Sequence, residues 1–153
     1  MSRRPSRSAS RAAVPRLVID HALLLRALLL SDERSRALRQ SWQQGRCRPL
    51  ISADLAQTLM RALAFPGLRL RPGQQHELLA DFLPYAEACT AATPALGSRL
   101  PREEAAALEL AVAASADVLL TEGQALRAHL ARWGEQRYGR LRAESLDEFL
   151  ARF

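Results

Sequence analysis

The strongest constraint on this chain is a short run, Arg16–Asp20 (RLVID), that is apolar at every position between its charged ends. A half-exposed strand alternates apolar and polar residues, so an uninterrupted run needs cover on both faces and belongs in a parallel sheet. Two later stretches repeat the signal: Arg48–Ile51 (RPLI) and, most clearly, Ala116–Thr121 (ADVLLT). GRLRA, ending at Ala143, is a weaker strand candidate.

Segments of helical length separate these runs. A helix is expected from about His21 to Leu30. Ser31 is expected to cap a second helix, SDERSRALRQSWQQG, which has acids in its first turn and Gly45 at its end. After RPLI, Ser52 opens SADLAQTLMRALAF, whose Leu55, Leu59 and Leu63 share one helical face until Pro66 and Gly67 end it. PGQQHELLADFLPYAEA reads as one further helix weakened near Pro84, and residues 90–98 read as a polar loop. Pro101 precedes the alanine-rich helix REEAAALELAVAASA, then come the strand ADVLLT, a turn with Gly123, a helix around QALRAHLARWGEQ, and a capped terminal helix, SLDEFLARF. Strands alternating with helices predict a three-layer α/β domain over residues 16–153, with a mainly parallel central sheet flanked by helices.

The chain has 153 residues, enough for one domain with a real core, and its formal charge is +6. Most of that charge is local. The first sixteen residues, MSRRPSRSASRAAVPR, hold five arginines and no acid, so the rest is nearly neutral. The tail over residues 1–15 has too few large apolar groups to offset its ordering entropy and is expected to be disordered. It lacks the apolar core of a secretory signal, and Ala22–Leu30, interrupted by Arg26, falls short of the roughly 20 residues of a membrane span. A cytoplasmic protein is expected. Cys47 and Cys89 lack CxxC spacing and read as reduced thiols in the packing.

No GxSxG, P-loop or GxGxxG motif occurs, and His21, His76 and His129 lack the spacing of a zinc site. Trp42, Trp133, Phe149 and Phe153 are expected to pack in the core or at an interface rather than stack on bases.

Four segments together resemble the PIN-domain proteins, specifically the branch described as toxin components of toxin-antitoxin systems: LVIDHALLLRALL, RPLISADLAQTLMRALAFPGL, EEAAALELAVAASADVLLTEGQAL and YGRLRAESLDEFL. The resemblance runs from about Leu17 to Phe149. It implies a Mg²⁺- or Mn²⁺-dependent ribonuclease, in which three or four carboxylates at the carboxyl ends of the strands hold the ion. Asp20 matches the first of these acids, although His21 and Ala22 follow it where the family prefers Thr or Asn. Thr58, beside Gln57, stands in place of the second acid, and Asp54, one turn earlier, reads as a helix-start residue. Near the third position lie Glu103 and Glu104, with Ala105 in the best-aligned place. At the fourth, Thr121 is kept, while Glu122 and Gly123 replace the family's glycine and aspartate. Asp117 cannot substitute, because five strand residues at roughly 3.3 Å each put it about 16 Å from Glu122.

The resemblance therefore implies an eroded site: Asp20 as the surviving ligand, Glu104 and Glu122 as catalytic helpers, and Asp20, Glu103, Glu104 and Glu122 as the metal set. RNA, a small antitoxin protein and a second copy of the chain are the expected partners. A pseudo-nuclease that binds RNA or a partner helix without catalysis is the alternative. A receiver-like phosphate-binding protein is a third class, which would use Asp20 but lacks the acid pair and lysine expected there. Arg69, Arg71, Arg99 and Arg102 are candidates for a basic rim.

Overall fold

The structure, a computed structural model, describes residues 14–90 and 100–152. The tail except for residues 14–15, the loop beyond Thr90, and also Arg99 and Phe153 lie outside the described residues.

Five strands form one sheet: β1 (Arg16–Ile19), β2 (Arg48–Ile51), β3 (Glu87–Ala88), β4 (Val118–Leu120) and β5 (Arg142–Glu144). Their spatial order is β3-β2-β1-β4-β5, with every pair parallel. The three apolar runs are its centre. Leu17 pairs with Pro49 on one side and Val118 on the other, and Ile19 pairs with Leu120.

Seven helices among the described residues cover the two faces: α1 (His21–Leu29), α2 (Glu33–Gln43), α3 (Ala53–Leu63), α4 (Pro72–Ala80), α5 (Arg102–Ala113), α6 (Gln124–Tyr138) and α7 (Leu146–Leu150). Alternate residues of each central strand serve opposite layers. Leu17, Ile19, Ile51, Val118 and Leu120 join the core under α1, α2, α3 and α7. Val18, Leu50 and Leu119 join a second core with Leu108 and Ala111 of α5 and Leu126 and Leu130 of α6. This is the three-layer α/β arrangement that doubly covered strands require.

Two local expectations are corrected. The cap of α2 is Asp32, whose side chain accepts the Ser35 N–H at 2.7 Å, not Ser31. The residue nearer the helix wins because a cap must reach the N–H two or three positions on. The helix expected over residues 72–88 ends at Ala80. There Phe82 leaves helical geometry and becomes buried, its ring edge-on to Trp42 with centroids 5.1 Å apart. The Trp42 indole also donates to the Asp81 carbonyl at 2.7 Å. Burying a Phe side chain is worth about 2–3 kcal/mol, more than the few helical residues it displaces. A 3-10 turn over Leu83–Tyr85 then delivers β3 to the sheet edge, where Glu87 pairs with Leu50.

The terminal helix follows the sequence closely. Ser145 accepts the Glu148 N–H and the Glu148 side chain accepts the Ser145 N–H, a complete capping box. Trp42 and Phe149 are core residues as expected, and Trp133 is half-buried on α6. Both cysteines are free. Cys47 is deeply buried, which pushes its thiol up to about 11. No helix among the described residues is long and apolar enough to cross a membrane.

Candidate acidic site at the strand crossover

β1 connects to β2 on one side of the sheet and neighbours β4 on the other, so the side on which the chain adds strands reverses between β1 and β4. At such a switch the loops diverge and leave a crevice at the carboxyl ends of the strands. Asp20 stands there. Its backbone N–H donates to the Leu120 carbonyl at 2.8 Å, extending the ladder by one bond, and its own carbonyl accepts the Leu24 N–H at 2.9 Å to start α1.

Asp20 occupies the cap position of α1, yet its carboxylate makes no capping bond. Oδ2 instead accepts a hydrogen bond from Thr121 Oγ1 at 3.1 Å, and that hydroxyl accepts the Gly123 N–H at 2.9 Å. Asp20 is 7 % exposed and Thr121 fully buried. The carboxylate is therefore held by a side chain one strand away and kept from the local task an aspartate at a helix start usually performs.

Glu104 reaches the same crevice from the first helical turn of α5. Its Oε2 is buried without a hydrogen-bond partner, one of two such side-chain atoms among the described residues. Burial first, and the neighbouring charge of Asp20 second, raise its carboxyl above the usual range. The other oxygen lies against Gly123, where an added Cβ would come within 2.5 Å of Glu104 Oε1 and 3.2 Å of Thr121 Oγ1. Gly123 thus makes room for Glu104. The position that carries an aspartate in the resembled family is left bare, and a carboxylate from another helix fills the space.

The remaining candidates are placed elsewhere. Glu122 turns away, and its Oε2 accepts the Leu146 N–H at 2.8 Å at the start of α7 and lies 3.9 Å from Arg34. Its carboxylate serves as an end cap for α7, a use fixed by β5 and α7 returning beside β4. Glu103 is exposed and lines an open groove of about 990 Å³ between α1, α3 and α5, with His21, Asp54, Thr58, Arg61 and Arg102. Asp117 is at the opposite end of β4, accepting the Arg16 N–H at 2.9 Å. Of the expected basic rim, Arg102 lines the groove, Arg69 and Arg71 are exposed on the segment after α3, and Arg61 joins unforeseen.

Among the described residues no three His, Cys, Asp or Glu side chains gather as a metal-holding group. Two do come together, Asp20 and Glu104, and oxygen-only donors with one orphaned buried oxygen suit a hard divalent cation that completes its shell with water or phosphate. Thr121 is recognisable in the sequence as retained, but its hold on Asp20 is not, and Gly123 reads there only as a missing acid. The one available signal was the spacing TEG directly after an apolar strand.

An all-parallel five-stranded sheet with carboxylates gathered at its crossover defines the class. Residues 16–125 match the family model described as PIN domain, and the chain belongs to that family. Its fold is similar to that of a chain in the crystal structure of VapBC2 from Rickettsia felis bound to a DNA fragment from their promoter, with a TM-score of 0.57 and 13 % identity over 85 % of this chain and 98 % of that one. No curated protein matches the chain in sequence.

Proposed function

We propose that this protein is a toxin-like PIN-domain ribonuclease with a reduced, two-carboxylate site. The observation that carries this reading is the orphaned Glu104 Oε2 set beside Asp20. Two carboxylates brought together in a recess, one without any donor, are unfavourable unless a proton or a cation joins them. Asp20 and Glu104 would hold one Mg²⁺ or Mn²⁺ weakly, Thr121 would fix the Asp20 rotamer, and Gly123 would keep the recess open. The ion, when bound, supplies an activated water and neutralises charge developing on the phosphate. His21, 8 % exposed and next to Asp20 in the chain, would contact a phosphate oxygen from the wall of the adjoining groove. A small antitoxin protein is the partner that suits the family resemblance and the VapBC2 likeness.

The test is cleavage of a labelled RNA with added Mn²⁺. Cleavage by the wild type that falls at least about 100-fold in Asp20→Asn, more than the loss of an outer-sphere support costs, upholds the reading. A second reading, the non-catalytic pseudo-nuclease, is favoured by the use of Glu122 as a helix cap. RNA binding without cleavage at saturating Mn²⁺ decides for it.

A further inference from the structure

The near-neutrality of residues 17–153 conceals an uneven distribution. Residues 124–143, spanning α6 and the entry to β5, hold five arginines against one acid, Glu135, whereas the remainder holds twelve arginines against fifteen acids. The fold gathers three of the five. Arg127, Arg132 and Arg142 line a groove of about 700 Å³ between α6 and the β5 edge, floored by Gly134, Leu141 and Ala143. No acidic side chain among the described residues lines it. The larger groove beside the acid pair differs, since Asp54, Glu103 and Glu109 there outnumber Arg61 and Arg102.

The guanidinium groups are partly organised. Arg132 lies 5.0 Å from the Trp133 ring centroid and Arg137 lies 4.9 Å from it, so one indole restrains two cations. Arg127 contacts Glu148 at 3.0 Å and Arg142 contacts Glu144 at 3.2 Å. Both arginines are substantially exposed. The Arg127–Glu148 pair is exposed on both sides and weak enough to yield to a phosphate. Glu144 is largely buried and also pairs with Arg152, so Arg142 meets a phosphate with the N–H groups that Glu144 does not engage. The groove also has a direction: α6 starts beside Gly123, which abuts Glu104, and Arg132 lies about 13 Å further along the helix.

We infer that the α6–β5 groove is a second nucleic-acid contact, holding the phosphate backbone of a single-stranded RNA that leaves the Asp20–Glu104 recess. Choosing RNA over other polyanions rests on the ribonuclease reading. A single strand fits because a recessed carboxylate pair is reached by a flexible chain more readily than by a stiff duplex.

The experiment is fluorescence anisotropy of a labelled single-stranded RNA with the full chain, in EDTA so that cleavage cannot intrude, over a range of salt. Arg132→Ala/Arg142→Ala is expected to weaken binding at least about tenfold at low salt. It should also reduce the slope of log affinity against log salt by about 1.4, two phosphate contacts at about 0.7 each. Arg132→Lys/Arg142→Lys keeps the charge and should keep the slope. Arg36→Ala, exposed on α2, should change neither quantity. An unaltered slope in the double alanine variant, an equal loss in Arg36→Ala, or binding to phosphatidylserine vesicles with none to RNA overturns the inference. RNA binding in EDTA that survives a failure of Mn²⁺-dependent cleavage would overturn the ribonuclease reading alone.

Discussion

Two carboxylates of neighbouring elements, Glu104 and Glu122, meet opposite fates at the same end of the sheet. Glu122 accepts a backbone N–H of α7 and approaches Arg34, so its charge is spent on structure. Glu104 has a buried oxygen with no donor and a like charge beside it. The family pattern made both of them candidates, and their hydrogen bonds separate them. A satisfied acid is explained by the fold that satisfies it, whereas an unsatisfied one is a cost that a ligand can relieve.

The comparison breaks most visibly through Glu122. Glu122→Ala should destabilise the protein by about 1.5 kcal/mol, the cost of losing a cap at a helix start. With a chain of this size that is a fall of about 3–6 °C in melting temperature. The loss should be the same with and without Mn²⁺, and a loss confined to Mn²⁺ would return Glu122 to the metal set.

Glu104→Gln should act with the opposite sign. Because the folded protein raises this carboxyl, the unfolded chain holds fewer protons on it as pH rises, and wild-type stability falls through the raised value. The variant and the wild type should therefore melt alike near pH 4. By neutral pH the variant should be the more stable by about 1 kcal/mol, the discounted cost of a partly exposed, unpaired charge. Added Mn²⁺ should narrow that gap by stabilising only the wild type. A pH-independent gap would show that Glu104 is not under electrostatic pressure.

The smallest effect on stability should come from Gly123→Ala. The backbone there, φ −70° and ψ 121°, suits any residue, and the atom in the way is the far end of a flexible side chain. Stability should stay within about 1 kcal/mol of wild type. Displacing Glu104 should nonetheless reproduce the lost Mn²⁺ response of Glu104→Gln. An intact response would mean that the recess tolerates a side chain at 123.

Much of the fold was legible in the chain. RLVID, RPLI and ADVLLT each became a strand of the parallel sheet, because an apolar run with no polar alternation has one stable environment. Ser52 and Ser145 cap their helices as read, since capping is decided within four residues. β3 was not legible. Two residues carry no periodicity, and the helix before them ends because Phe82 finds Trp42, a partner 40 positions away that local propensity cannot register.

The acid site divides in the same way. Sequence alone placed Asp20 at the end of a buried strand and put Glu104 in the first turn of a helix, because strand ends and helix starts are local events. Tertiary structure alone decided that Asp20 binds Thr121 across 101 residues, that Glu104 enters the gap over Gly123, and that Glu122 is consumed by α7. The physical reason is that a carboxylate's role depends on which donors and charges lie within a few ångströms of it. Those neighbours are supplied by strand order, which no single segment contains.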